Sequence, residues 1–169
     1  KRGLVLLREN VIYDFSPRGV ELLAHWTLDV HYEPLRQVVL LLDPSLQLAA
    51  VRYGNRDIPW TISPGKPGMP ARVVLELPDM MQGTERVLRV RALAPLRENK
   101  RWRLPTVRPQ GMFWQEGGST LLVRQPLSLQ QLSVKAGRQQ KVGPLPGTPD
   151  GESIQLQYYG PEAEVDVVL

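Results

Sequence analysis

Residues 23–33 read Leu-Ala-His-Trp-Thr-Leu-Asp-Val-His-Tyr-Glu. Ala24, Trp26, Leu28, Val30 and Tyr32 share one parity, and Leu23, His25, Thr27, Asp29, His31 and Glu33 share the other. Successive side chains of an extended segment point to opposite faces, so this spacing builds one apolar face and one largely polar face. A helix would scatter both sets round its circumference. The segment is therefore predicted as a half-buried strand with Trp26 in the core. Leu4 to Phe15 reads as the strand before it, and Ser16-Pro17-Arg18-Gly19 as the turn between them, giving a hairpin.

The same alternation continues outward. Arg36 to Leu42 is apolar on both parities, as a strand covered on two faces would be. In Leu46 to Tyr53 the apolar parity slips at Ala49-Ala50, which predicts a bulge. Ile58 to Ile62 contains Pro59, which places it at a sheet edge. Ser63 to Pro70 is a loop. Ala71 to Leu77 and Arg86 to Ala94 read as two strands joined through Pro78 to Thr84. Gly117-Gly118 reads as the turn of a hairpin between Gly111–Glu116 and Ser119–Gln125. Leu127 to Val134 follows, Gly143 to Gly151 is a turn-rich loop, and Ile154 to Tyr159 and Ala163 to Leu169 close the chain. No segment sustains a 3.6-residue period, and sixteen prolines disfavour helices. The fold predicted is all-β: an antiparallel β-sandwich of ten or more short strands with little or no helix.

The chain has 169 residues, 42% of them hydrophobic and 22% charged, with net charge +4 and no cysteine. That suffices for one domain with a real core and excludes disulfides, thiolate metal sites and a cysteine nucleophile. The longest apolar runs fall far short of the ~20 residues that span a bilayer. Both ends read as strand without a loose polar tail, so residues 1–169 are expected to be a single sandwich domain excised from a larger protein. Any division into subdomains would fall within 95–110.

Familiar catalytic patterns do not assemble. His25 and His31 lie on one strand face, roughly 20 Å apart, too far to share a metal ion. Asp29 and His31 could work together only with ligands from a neighbouring strand, and solvated face positions are the simpler reading. There is no G-x-S-x-G elbow, no phosphate-cradling glycine loop and no H-E-x-x-H spacing. Glu76, Glu164 and Asp166 read as isolated, solvent-facing strand residues rather than as a carboxylate pair. No cofactor is expected.

Two features point to binding instead. Arg86, Arg89, Arg91, Arg97, Lys100, Arg101, Arg103 and Arg108 fall in one short span, with only Glu85 and Glu98 as acids near them in sequence. Trp60, Trp102 and Trp114 flank turns or loops and could stack on sugars. The candidate binding surface is thus Arg89, Arg91, Arg97, Arg101, Trp102, Arg103, Trp60 and Trp114. The competing reading is that the arginines solvate a strand face and a loop while the indoles are core. Nucleic acid is the less favoured ligand for this surface, and a glycan or an acidic protein partner fits it as well.

Val38 to Leu93 carries a further pattern. It runs Val38-Val39-Leu40-Leu41-Leu42-Asp43-Pro44, then Val51-Arg52-Tyr53-Gly54 and Ile58-Pro59-Trp60, then Val73-Val74-Leu75-Glu76-Leu77-Pro78, and Gly83 to Val90. This order of strands and turns resembles the N-terminal β-sandwich domain of aminopeptidase-N-like zinc peptidases, over about a third of the chain. The zinc motif of that family lies in a separate catalytic domain and nothing like it occurs here, so no catalytic residue carries over. The pattern is also similar to β-sandwich modules of large bacterial envelope proteins. The resemblance implies a non-catalytic accessory or interaction domain of a larger, extracytoplasmic protein. Its partners would be other domains of the parent chain or a separate protein. A carbohydrate-binding module using exposed tryptophans is the alternative, and a hydrolase with an unrecognised site the third.

Overall fold

The computed structural model describes residues 3–145, 147 and 151–169. Lys1 and Arg2, and Pro146, Thr148, Pro149 and Asp150 of the predicted 143–151 loop, lie outside the described residues. Among the described residues there are thirteen strands and no helix. They are β1 (Leu4–Ser16), β2 (Gly19–Leu42), β3 (Gln47–Tyr53), β4 (Arg56–Asp57), β5 (Trp60–Ser63), β6 (Ala71–Ala94) and β7 (Trp102–Arg103). Then follow β8 (Val107–Pro109), β9 (Phe113–Arg124), β10 (Gln131–Lys135), β11 (Gly137–Pro144), β12 (Gly151–Tyr158) and β13 (Glu164–Val168).

Ten strands form one sheet in the order β11-β12-β9-β1-β2-β6-β3-β4, with β5 beside the first half of β6 and β8 beside the end of β2. The other three form a small sheet, β10-β13-β7. The all-β prediction holds. One pairing differs from a purely antiparallel sandwich: β1 runs parallel to β9. The predicted hairpin is present, with Leu4 opposite His31 and Ser16 opposite Gly19 at its two ends.

The large sheet is two-sided because its strands alternate. Val5, Leu7, Val11, Tyr13 and Phe15 of β1 and Leu22, Ala24, Trp26 and Leu28 of β2 are buried on the inner face. The small sheet covers them with Trp102, Val165 and Val167. The Phe15 and Trp102 rings meet edge-on, 6.1 Å between centroids at 80°, and Tyr13 lies 6.3 Å from Phe15. The Tyr13 hydroxyl donates to the Pro105 carbonyl at 2.7 Å, so its one polar atom is satisfied inside the core. Ala163, Val165, Val167 and Leu169 are all buried, as the alternation at 163–169 predicts.

Not all the strands are short. β2 and β6 each run 24 residues, through the breaks expected near Glu33–Leu35 and Pro78–Thr84. Their pairing shifts register around Val30, Leu35 and Met81, where Tyr32, Gly83 and Glu85 take positive φ. Bulges add residues and bend a strand without ending its ladder, so turn-like sequence is absorbed inside it. The slip at Ala49-Ala50 is one such bulge: pairing to β6 jumps between Leu48 and Ala50, returning Val51 to the core. Segment 95–110 contributes β7 to the small sheet and β8 to the large one. The Leu104 N–H donates to Val165 O, and the Gln110 N–H donates to Val39 O, so this stretch joins the two sheets.

Gly117-Gly118 is not a turn. Both residues lie inside β9, opposite Glu9 and Asn10 of β1 and opposite Tyr158 and Gln157 of β12. A Cβ on Gly118 would come within 2.4 Å of the Leu156 carbonyl oxygen, so the glycine serves a close approach of two backbones rather than a reversal. Gly118→Ala is expected to lower the unfolding free energy by about 1–3 kcal/mol. Gly143→Ala, where an added Cβ meets nothing within 4 Å, should change it by less than about 0.5 kcal/mol. Urea denaturation of both variants checks this; equal effects would contradict the tight closure of β9 on β12.

Candidate interaction surface

The four tryptophans have different environments. Trp26 is 0% exposed, as its place in the apolar stripe predicts. Trp102 is 5% exposed and leaves the candidate surface: its ring fills the space between the sheets against Phe15. Trp60 is half-buried on β5, and Trp114 is half-buried on β9. β1, β2 and β6 lie between them, so they do not form one aromatic platform.

The basic tract also disperses. Arg101 and Arg103 reach across the small sheet to Asp166 at 3.0 and 3.1 Å, and Arg103 also meets Glu164 at 3.0 Å. The hydrogen bond from Arg103, followed by that from Arg101, holds the Asp166 carboxyl below its ordinary range. Arg91 pairs with Glu21 of β2 at 3.0 Å. Arg86 donates to the Gln82 carbonyl, and Arg108 to the carbonyls of Pro161 and Ala163. Arg97 is exposed, and Arg89 projects from the outer face of β6. The sequence shows only nearby acids; strand pairing supplies others from 63 to 70 positions away.

Glu9 was not flagged by its sequence neighbourhood. It occupies an inward position of β1, between Leu7 and Val11, where the alternation calls for an apolar side chain. Its carboxylate accepts the indole N–H of Trp114 at 3.0 Å on Oε1 and that of Trp26 at 3.3 Å on Oε2. Burial raises the Glu9 carboxyl above its ordinary range, and the two indole bonds only partly offset this. A register shift in the β1–β9 pairing, which passes from Leu7–Trp114 to Arg8–Glu116, keeps Trp114 on the same side as Glu9. Gly117 leaves the room: a Cβ there would stand 2.7 Å from Glu9 Cγ and 3.2 Å from the Trp114 ring. Nearby, the Tyr158 hydroxyl donates to buried Ser119 Oγ at 2.5 Å, and burial pushes Tyr158 up to about 12. The available signal was a carboxylate in an otherwise apolar parity.

On the opposite, outer face, Gly118, paired with exposed Asn10, has no side chain, and a polar trough of about 480 Å³ lies there. Its rim includes Arg8, Asn10, His25, Thr27, Gln155 and Gln157. Arg8 is engaged by Glu85 at 2.7 Å and Asp29 at 3.4 Å. Asp29 also accepts the Glu85 N–H, so it is tied to strand structure rather than aimed at His31. Among the described residues no group of three His, Cys, Asp or Glu side chains is placed to hold a metal ion.

The architecture is that of the N-terminal domain of M1 zinc aminopeptidases and leukotriene A4 hydrolase, and the likeness runs well beyond residues 38–93. A two-domain M1 zinc metallopeptidase crystallised with L-tryptophan matches 99% of this chain with a TM-score of 0.63 and 15% identity. An M1 zinc metallopeptidase from Deinococcus radiodurans bound to a Tyr-Ser-Ala substrate matches 97% with a TM-score of 0.61 and 14% identity. Native yeast LTA4 hydrolase matches 99% with a TM-score of 0.57 and 13% identity. The chain spans 43%, 42% and 29% of those three proteins. No family model matches the sequence, and no curated protein matches it. The likeness is one of fold.

The carboxylates predict opposite pH dependences. Glu9 binds its proton more tightly folded than unfolded. Its contribution to stability is therefore full below the ordinary carboxylate range and declines as pH rises through the raised value. Asp166 contributes fully above that range, and its contribution is lost as pH falls through the lowered value. Urea unfolding between about pH 3 and pH 7 of the parent protein, Glu9→Gln and Asp166→Asn isolates each effect. A Glu9→Gln difference that stays flat with pH would remove the buried-carboxylate assignment.

Proposed function

We propose that this chain is a non-catalytic accessory domain of a larger protein, acting as a scaffold and contact surface for its neighbouring domains. The observation that carries this reading is the fold likeness: nearly the whole chain matches less than half of multidomain peptidases. A sandwich of this kind presents edges and a broad outer face on which other domains can seat. An extracytoplasmic setting is part of the proposal and rests on the resemblance to envelope modules alone.

The contact surface we assign lies where β1 and β9 begin. Phe113 is 67% exposed and Leu4 38% exposed, and Phe113 pairs with Leu6 of β1. Scattered apolar residues are ordinary on surfaces, but neighbouring ones on a sheet face favour contact with another body.

Two measurements test the reading. The isolated chain is expected to hydrolyse no aminoacyl-anilide, with or without added Zn²⁺; turnover abolished by a point variant would support an enzyme instead. In the larger protein that carries this chain, Phe113→Asp is expected to lower the thermal midpoint of the neighbouring domain by a few degrees. That corresponds to roughly 1 kcal/mol of lost contact. An unchanged midpoint would exclude this face as the contact.

A further inference from the structure

One cross-strand row of side chains runs the full width of the outer face. Register places Arg138 of β11 opposite Gln157 of β12, Gln157 opposite Gly118 of β9, and Gly118 opposite Asn10 of β1. The row continues through His25 of β2, Arg89 of β6 and Arg52 of β3, and ends at Asp57 of β4. Seven inter-strand steps of about 4.8 Å make it roughly 30 Å long. Gly118 sits two strands in from the Arg138 end, where the polar trough opens.

Arginine outnumbers carboxylate along this row, which has Asp57 at one end and Glu116 lining the trough beside Gly118. Arg89 and Arg52 stand directly opposite each other on adjacent strands, an arrangement that destabilises a sheet when nothing neutralises it. Arg52 is drawn toward Asp57 at 3.5 Å, at the far end of the row, and donates to the Asn55 carbonyl. Among the described residues Arg89 and His25 have no hydrogen-bond or ion-pair partner, and both are exposed. Arg138 donates to Gln157 Oε1 and, among the described residues, makes no ion pair. A long, shallow row with three guanidinium groups, one terminal carboxylate and amides beside a glycine floor suits an extended anionic polymer.

We infer that this row binds a carboxylated polysaccharide of the uronate class, with its carboxylates at Arg89 and Arg52 and its hydroxyls at Asn10, Gln155 and Gln157 over Gly118. A guanidinium presents a planar fork that matches a carboxylate in a two-point bond, and amides satisfy hydroxyls as donors and acceptors. A nucleic acid strand would use several stacking aromatic side chains, and the row has no Phe, Tyr or Trp and a single imidazole, His25. A peptide adding to the sheet would lie along an edge strand, whereas this row crosses the strands. The position differs from the tryptophans on which a sugar reading of the sequence relies.

The test is calorimetric titration of the chain with oligogalacturonate at low salt. Fully methyl-esterified oligogalacturonate, polyglutamate and oligothymidylate serve as comparison probes. Oligogalacturonate is expected to bind, the esterified form not to bind, and added salt to weaken the interaction. Arg89→Ala should reduce affinity at least tenfold, and Asn10→Ala severalfold, with neither thermal midpoint lowered, because both side chains are exposed and Arg89 faces a like charge. No binding of oligogalacturonate, or binding indifferent to Arg89→Ala, overturns the inference. Tighter binding of polyglutamate or oligothymidylate overturns it in favour of an acidic peptide or a nucleic acid. Failure here leaves the accessory-domain reading standing, since that is tested at Phe113.

Discussion

The register of β1 is the constraint on which the rest of the structure depends. This strand lies inside the large sheet, paired with β2 along one side and β9 along the other. Its inward residues end in Tyr13 and Phe15, which meet Trp102 and close the space between the two sheets. Side-chain direction has a period of two, so a slip of one residue would turn Val11, Tyr13 and Phe15 to solvent and bring Ile12 and Asp14 inward. The Tyr13 hydroxyl, held by the Pro105 carbonyl, favours the observed register further, because moving it would leave a buried polar group without a partner.

Glu9 is the exception in that register. A buried carboxylate is costly unless hydrogen-bonded, and the two indole donors meet part of the cost. The arrangement requires three strands at once: Glu9 from β1, Trp26 from β2, and from β9 both Trp114, before the register shift, and Gly117, beyond it. It holds the parallel β1–β9 junction in one register, since a shift of either strand would separate the carboxylate from an indole.

The outer face follows a different logic. Its residues do not pack against a second layer, so charge and hydrogen bonding decide what they do. Arg91 finds Glu21 across the strands, Arg101 and Arg103 find Asp166 across the small sheet, and among the described residues Arg89 finds no acid. The eight-residue basic tract therefore resolves into separate places with separate partners. Of the tract, Arg89 alone joins the cross-strand row, where it stands opposite Arg52 of β3.

Much of the architecture was legible in the residues: the period-two stripe around Trp26, the hairpin through Ser16–Gly19, the bulge at Ala49, and the final strand facing inward. Each rests on neighbours in sequence, because alternation and turn chemistry are local. What the sequence by itself determined was therefore the strand character of the chain and which parity of most strands is apolar. Only the tertiary structure decided that Trp102 is core, that Gly117-Gly118 lies mid-strand, that β1 and β9 run parallel, and that Glu9 sits between two indoles. Those features arise where strands far apart in sequence come within contact distance. At such contacts, close backbone approach, burial and cross-strand charge outweigh local turn and exposure preferences.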